Sequence, residues 1–354
     1  ALGTGSVATV TLRDSASLVQ SGLPSDWVSI GGNNSGIGTL NVQDNATVTI
    51  SDIDFNVSDT GTSTGTVNIS GSAVVTIGGT LFIAKNVGTT GTLNLDGGTL
   101  VAPQITELDG GGGWSTFVFN GGLLKAATGA AATFMSRLDT VNVMAAGAFL
   151  DTNGQTVAID QDLIDGDAGG GGLTKSGSGT LYLNGACTYL GTTSVTAGTL
   201  GGTGSVASLL SVEAGATLAP GVAVGTFTAG DANIAGTYAC EIDGAAADKL
   251  VVGGNLDIST ATLAITRLSA PTAPVYVIAT YTSCPLPFLT VTGLPDGYEV
   301  VYDYDDGTTN TNIALVGAAG RYAAWAATHA GGQTADLDFD NDGVPNGVEY
   351  FMGE

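Results

Sequence analysis

The densest concentration of side chains able to do chemistry lies near the end of the chain, in Asp338-Phe339-Asp340-Asn341-Asp342-Gly343-Val344-Pro345-Asn346-Gly347-Val348-Glu349. Carboxylates at alternating positions followed by a glycine match the start of a calcium-coordinating loop. In that reading Asp338, Asp340 and Asp342 supply the first three ligands and Gly343 the sharp turn. Val344 then offers its backbone carbonyl, Asn346 the next side-chain position and Glu349 the closing carboxylate. Hard oxygen donors at this spacing suit Ca²⁺, which gathers six to eight of them around one point.

Elsewhere the chemistry is thin. Asp52, Asp54 and Asp59 form one carboxylate group and Asp162, Asp165 and Asp167 another, neither with a basic residue close in sequence. Polysaccharide hydrolysis needs paired carboxylates held together, commonly with a base or cation. The single histidine, His329, lies in a segment that reads as helix, and no Ser/His/Asp or Cys/His triad can be assembled around it. Asp303, Asp305 and Asp306 before Gly307 read as a hairpin turn in preference to a metal site. The expectation is therefore a protein that is not an enzyme.

The elements that position these residues follow from a repeat. Gly38-Thr39-Leu40-Asn41-Val42, Gly65-Thr66-Val67-Asn68-Ile69 and Gly91-Thr92-Leu93-Asn94-Leu95 recur at a step of about 27 residues. Each is preceded by a second matching strand (Val28 to Ile30, Phe55 to Val57, Phe82 to Ala84) and followed by a third (Ala46 to Ile50, Ala73 to Ile77, Gly98 to Ala102). Apolar residues alternate within each strand, so one side is a core and the other, with Asn41, Asn68 and Asn94, is wet. Three strands per coil predict an all-β, right-handed parallel β-helix, a triangular β-solenoid. The outward Asn column reads as a hydrogen-bonded ladder along the stack.

The solenoid is expected over residues 1–265, with the 27-residue coils clearest at 27–103. The period loosens between the glycine runs Gly110 to Gly113 and Gly169 to Gly172, but Phe117 to Phe119, Val141 to Val143 and Val157 to Ile159 still read as strands. Residues 266–317 read as a small C-terminal β cap, and 318–354 as a short helix around Arg321 to His329 packed on the calcium loop. Leu40, Val67 and Leu93 are expected in one interior stack.

Composition narrows the partners. With 8 Lys+Arg and a formal charge of −24, the chain is a poor match for nucleic acid or anionic membranes. Neither a basic leader nor an apolar run of membrane-helix length is present, so the chain reads as a mature exported product with no membrane insertion of its own. Cys187, Cys240 and Cys284 form neither a disulfide framework nor a metal cluster; a Cys187–Cys240 bridge would require neighbouring coils.

Gly172 to Leu183 (GLTKSGSGTLYL), continuing through Gly185 to Tyr189 and Thr196 to Leu200, closely resembles the autotransporter-associated β-strand repeat, with Cys187 where that family usually has Asn. Val212 to Gly221, Glu241 to Gly244 and Val275 to Ala279 resemble the segments that follow it, so the repeat-bearing part runs over 172–221 and beyond. The resemblance implies a β-helix passenger exported to a bacterial surface, without shared catalytic chemistry. It also makes the lack of a C-terminal membrane barrel here a departure. The acidic loop has EF-hand-type spacing, while Pro345 makes it more similar to dockerin and thrombospondin type 3 loops. In similar exported proteins a sorting tail follows such a loop. Together these features point to a secreted structural protein, a head-to-tail fibre or adhesin scaffold stabilised by Ca²⁺. A glycan-binding module using Trp27, Trp114, Tyr182 or Tyr189 is the alternative.

Overall fold

The computed structural model describes residues 5–21, 27–32, 34–108, 113–284, 286–307 and 311–353; Gly110 to Gly112 of the first glycine run lie outside them. The chain winds into a parallel β-solenoid of about ten turns with two short helices at its C-terminal end. Its hydrogen bonding divides into sheets of 16, 13 and 7 strands.

The first face of the solenoid carries Val7–Leu12, Ile37–Val42, the first half of Thr64–Ile77, the first half of Thr90–Ala102, Trp114–Phe119 and Thr140–Val143 in register. Their central inward residues form one column: Val10, Leu40, Val67, Leu93, Phe117, Val141. From Leu40 onward every member is buried, so the three sequence repeats do share an interior stack. The alternation of inward and outward residues follows from the two-residue period of an extended chain. A single coil exposes half of its apolar face, and only the next coil, one strand spacing along the axis, covers it.

On the outside of this face the amides align as the repeat predicts. Asn94 donates to Asn68 Oδ1 at 2.7 Å, Asn68 to Asn41 Oδ1 at 2.8 Å, and Asn41 to Thr11 Oγ1 at 3.1 Å. Asn41 and Asn68 each both accept and donate, and Asn94 donates, so the ladder fixes the register from the wet side.

Corners absorb the changes in coil length. Asp14, Asp44 and Gly71 occupy the same corner in successive coils, all at positive φ, and a Cβ at Gly71 would lie 2.9 Å from the Asp44 nitrogen. Hydrogen bonds between adjacent coils span 30 residues at Asp14–Asp44, 27 at Asn41–Asn68, 24 at Asp96–Asn120 and only 17 at Gly191–Ser208, before lengthening to 24 at Asp231–Asn255. The constant period of about 27 residues therefore belongs to the early coils. Strands keep their register while the connecting loops shorten, because a corner residue can be deleted without moving an inward side chain to the wrong face.

Beyond residue 265 the solenoid continues: Val275–Tyr281 stacks parallel on Lys249–Val252, and Thr290–Thr292 on Thr262–Arg267. Then the direction reverses. Thr311–Gly317 runs antiparallel to Val275–Tyr281, and Tyr298–Tyr304 pairs antiparallel with Thr311–Gly317. The segment expected as a β cap thus adds further strands to the stack and closes with an antiparallel pair. Helices α1 (Ala318–His329) and α2 (Asn346–Met352) follow directly.

Cys187 pairs with Val206 on one face and Cys240 with Ile265 on another, and all three cysteines are free. Burial pushes the Cys187 thiol up to about 12, so it is unreactive at neutral pH.

The interior column makes Val67→Asp the most damaging simple substitution on this face, since Val67 is fully buried between Leu40 and Leu93. A charge there has no partner, and the expected loss is on the order of 4 kcal/mol, read as a lowered urea midpoint. An unchanged midpoint would mean that the column is not continuous.

Candidate metal centre

The acidic loop is held between α1 and α2 by an aromatic cluster. Tyr350 on α2 meets Tyr322 and Trp325 on α1, with ring centroids 5.6 and 5.7 Å apart, both edge-on. The helix read around Arg321 to His329 is therefore present and packs against the segment that closes the loop. His329 stacks on Trp325 at 5.4 Å, is exposed, and faces its Trp325 carbonyl through Nδ1.

Within the loop the aspartates first organise the backbone. Asp338 Oδ2 accepts from the Gly343 N–H at 2.8 Å, Asp340 Oδ1 from the Asp342 N–H at 3.1 Å, and Asp342 Oδ1 from the Val344 N–H at 2.8 Å. Asn341 and Gly343 take positive φ, which curls the chain around the carboxylates. One oxygen of each of Asp338, Asp340 and Asp342 falls within 4.8 Å of the others. The Asp338 Oδ1 is buried and has no hydrogen-bond partner. Three anionic groups drawn together, one with an orphaned oxygen, form a donor set that a divalent cation of the Ca²⁺ type fits; without a cation their mutual repulsion is uncompensated.

The remaining positions of the loop are placed differently. Asn346 is fully buried; its Oδ1 accepts from the Phe339 N–H at 2.9 Å and its Nδ2 donates to the Thr334 carbonyl at 3.0 Å. Its carboxamide closes the loop on itself, a role its place in the motif did not suggest. Val344 contributes an N–H to Asp342, and Glu349 lies in the first turn of α2, outside the Asp338, Asp340 and Asp342 trio.

The other carboxylate groups are engaged at corners. Asp54 accepts from the Thr80 N–H, Asp162 from Ala186, Asp165 from Ala168, and Asp167 from Ala145 and Gly169. Asp59 is buried and accepts from the Asn86 amide. Asp305 caps the Gly307 N–H and Asp303 accepts from the Tyr281 hydroxyl, in keeping with a turn. Among the aromatic residues, Tyr189 is entirely buried with its hydroxyl on Thr193, which removes it as a glycan contact; Trp27 and Trp114 are more than half exposed and Tyr182 is half-buried.

One functional side chain escaped sequence reasoning. Lys175 pairs with Leu150 and Val195 in the neighbouring coils, so it points inward, and it is fully buried. Its Nζ donates to the carbonyls of Gly177 and Ala197 at 2.8 Å, to Ser176 at 3.1 Å and to Thr152 Oγ1 at 3.2 Å. The ammonium thereby ties together the corners of three consecutive coils. Burial lowers its pKa to about 8, with Asp151 opposing the shift, which leaves it mainly charged at neutral pH. The signal was available: Leu173 faces inward, and a residue two positions on in a strand must face the same way. Asp248 is a second buried ion, accepting from the Gly225 and Glu241 N–H groups at 2.8 Å each; burial raises it to about 7.

Lys175 falls inside a segment that matches a known repeat family. Residues 173–201 match the family model of the passenger-associated-transport-repeat. No curated protein matches the chain. On a parallel β-solenoid, the repeat supports a β-helix of the autotransporter-passenger type. The match covers the strands Leu173–Ser176 and Thr193–Val195, between which the lysine clamp stands.

Replacing Lys175 by Met keeps the volume of the stem but leaves the corner carbonyls facing a dry core. We expect a loss on the order of 3 kcal/mol at neutral pH, seen as a lower urea midpoint at unchanged slope. A variant as stable as the parent would show that the ammonium contributes no net stability.

Proposed function

We propose that this chain is a structural scaffold on a bacterial surface, exported as passenger-type β-helices are, with a calcium-stabilised C-terminal unit and no catalytic role. The observation that carries the reading is a parallel stack of coils that includes the passenger-associated repeat, whose strand Leu173–Ser176 stacks in register between Ala148–Asp151 and Thr193–Val195. In keeping with a scaffold, Asp54, Asp162 and Asp167 accept backbone N–H groups of neighbouring coils. Among the described residues no helix is long and apolar enough to cross a membrane.

In this reading Asp338, Asp340 and Asp342 hold Ca²⁺ together with the Val344 carbonyl and Glu349, and Asn346 orders the turn around it. The ion would neutralise the carboxylates and lock α2 onto α1. Isothermal titration should show uptake of one Ca²⁺ with a dissociation constant between about 10⁻⁷ and 10⁻³ M. The Asp340→Ala, Glu349→Ala double variant should show none. Equal uptake by both proteins would refute the site.

Self-assembly is the second part of the proposal. The first described coil presents Val7, Val10 and Val19 at 72, 49 and 68% exposure, beside an apolar cavity of about 170 Å³ lined by Leu18, Val28, Leu40 and Phe55. The opposite end is closed by the antiparallel strands and the helices, so the two ends are unlike, as head-to-tail growth requires. Where no further segment of the chain stacks on it, the strand edge of the first described coil is a template for a second copy. Light scattering at millimolar Ca²⁺ should show concentration-dependent filaments. A monomer at every concentration, with and without chelator, would reduce the protein to a monomeric scaffold.

A further inference from the structure

We propose that the outer face of the second sheet, from Trp27 to Arg137, is a binding site for an uncharged polysaccharide. The argument begins with Asn56. Along the strands Trp27–Gly31, Asp54–Ser58 and Leu81–Ala84, the outward residues Ser29, Asn56 and Phe82 lie one above another. Asn56 has the same sequence context as the ladder asparagines, alternating with inward apolar residues. Unlike them, it is completely buried, and neither its Nδ2 nor its Oδ1 has a hydrogen-bond partner. An amide left dry and unpaired is costly, and in a native fold it calls for a reason.

What lies over it supplies that reason. The Lys85 ammonium sits 5.5 Å from the centre of the Trp27 ring and 4.9 Å from that of Phe82. Trp27 and Phe82 are two coils apart, with Asn56 in the coil between. The cation bridging the two rings therefore crosses the level of the unpaired amide. Trp27 and Phe82 thus flank a cleft in which the Lys85 ammonium lies. From Phe82 an open groove of about 410 Å³ continues along the face past Thr80, Gln104, Thr106, Glu107 and Arg137. At its far rim the register shifts between Thr133 and Met135, and Arg137 takes φ +65, a conformation a long side chain rarely adopts.

Two aromatic rings stepped along a rigid groove, an amide offering one donor and one acceptor, and hydroxyls and amides beyond it match a chain of sugar rings. Each ring of such a ligand has an apolar face to stack and adjacent hydroxyls to pair with a carboxamide. Charge narrows the class further. A net charge of −24 opposes a polyanion, while Lys85 and Arg137 on the groove oppose a polycation. On binding, the sugar takes the place of the Lys85 ammonium over the rings, and Asn56 acquires the partners it lacks. The site is distinct from the calcium loop and does not depend on it.

Affinity electrophoresis of the full chain through β-glucan, xylan, galactomannan and polygalacturonate tests the proposal, with tryptophan fluorescence as a second readout. At least one uncharged polymer should retard the protein, and polygalacturonate should not. Trp27→Ala, at an exposed position where folding is not at stake, should weaken that binding about tenfold, and Asn56→Ala by a similar factor. Asp340→Ala should bind like the parent. No retardation by any uncharged polymer, a preference for polygalacturonate, or retardation undiminished in both Trp27→Ala and Phe82→Ala would overturn it.

Discussion

Every part of this molecule depends on the stacking of one inward apolar side chain on its counterpart a coil away. Leu40 is buried because Val67 lies above it, Val67 because Leu93 does, and the same holds through Phe117 to Val141. No residue in the column has its environment set by its own coil. Stability is therefore a nearest-neighbour property, and a fault in one coil is felt by two others. This is why the outward surface can vary from Thr and Asn to Lys and Phe while this column from Leu40 to Val141 contains only Leu, Val and Phe.

The polar groups of the solenoid are arranged by the same constraint. Turning a chain three times per coil leaves carbonyl and N–H groups at each corner that the parallel ladders do not reach. The aspartates at 54, 162, 165 and 167 accept the N–H groups, and Lys175 satisfies the carbonyls from inside. The interior lysine stands between Leu150 and Val195 of the flanking coils, and at one strand spacing the corners of adjacent turns lie close enough for a single ammonium to serve them. A charge in an apolar column would ordinarily be destabilising; here four oxygens surround it and Asp151 lies near.

Much of the fold was legible because its period is written in apolar residues. Leu40, Val67 and Leu93 recur with their glycines and asparagines at one spacing, and the side on which each residue falls follows from alternation alone. The loosened region was harder, since corner loops lengthen and shorten without altering strand chemistry, and a fixed step of 27 residues loses its place where the coil spans 17. The acidic loop was legible in its three aspartates, which converge, but not in Asn346, because a motif position does not reveal whether an amide turns toward the ion or toward Phe339 and Thr334. Lys175 and Asn56 were missed for a shared reason: each polar residue has its fate decided by what the adjacent coils place around it. Tyr189 shows the converse, a polar aromatic drawn into the core with Thr193 as the partner for its hydroxyl.

The two ends of the chain thus hold their shape by different means. In the solenoid, order propagates from coil to coil through apolar contact and needs no ion. Past Gly317 the described residues add no further coil, and the helices meet through a few aromatic rings while three carboxylates repel one another in the loop between them. Such a segment has little core of its own, whereas the column from Leu40 to Val141 is indifferent to the loop's charge. If the loop takes up a divalent cation as proposed, the concentration of that cation sets the state of the C-terminal unit alone and leaves the stacked coils of the β-helix unaffected.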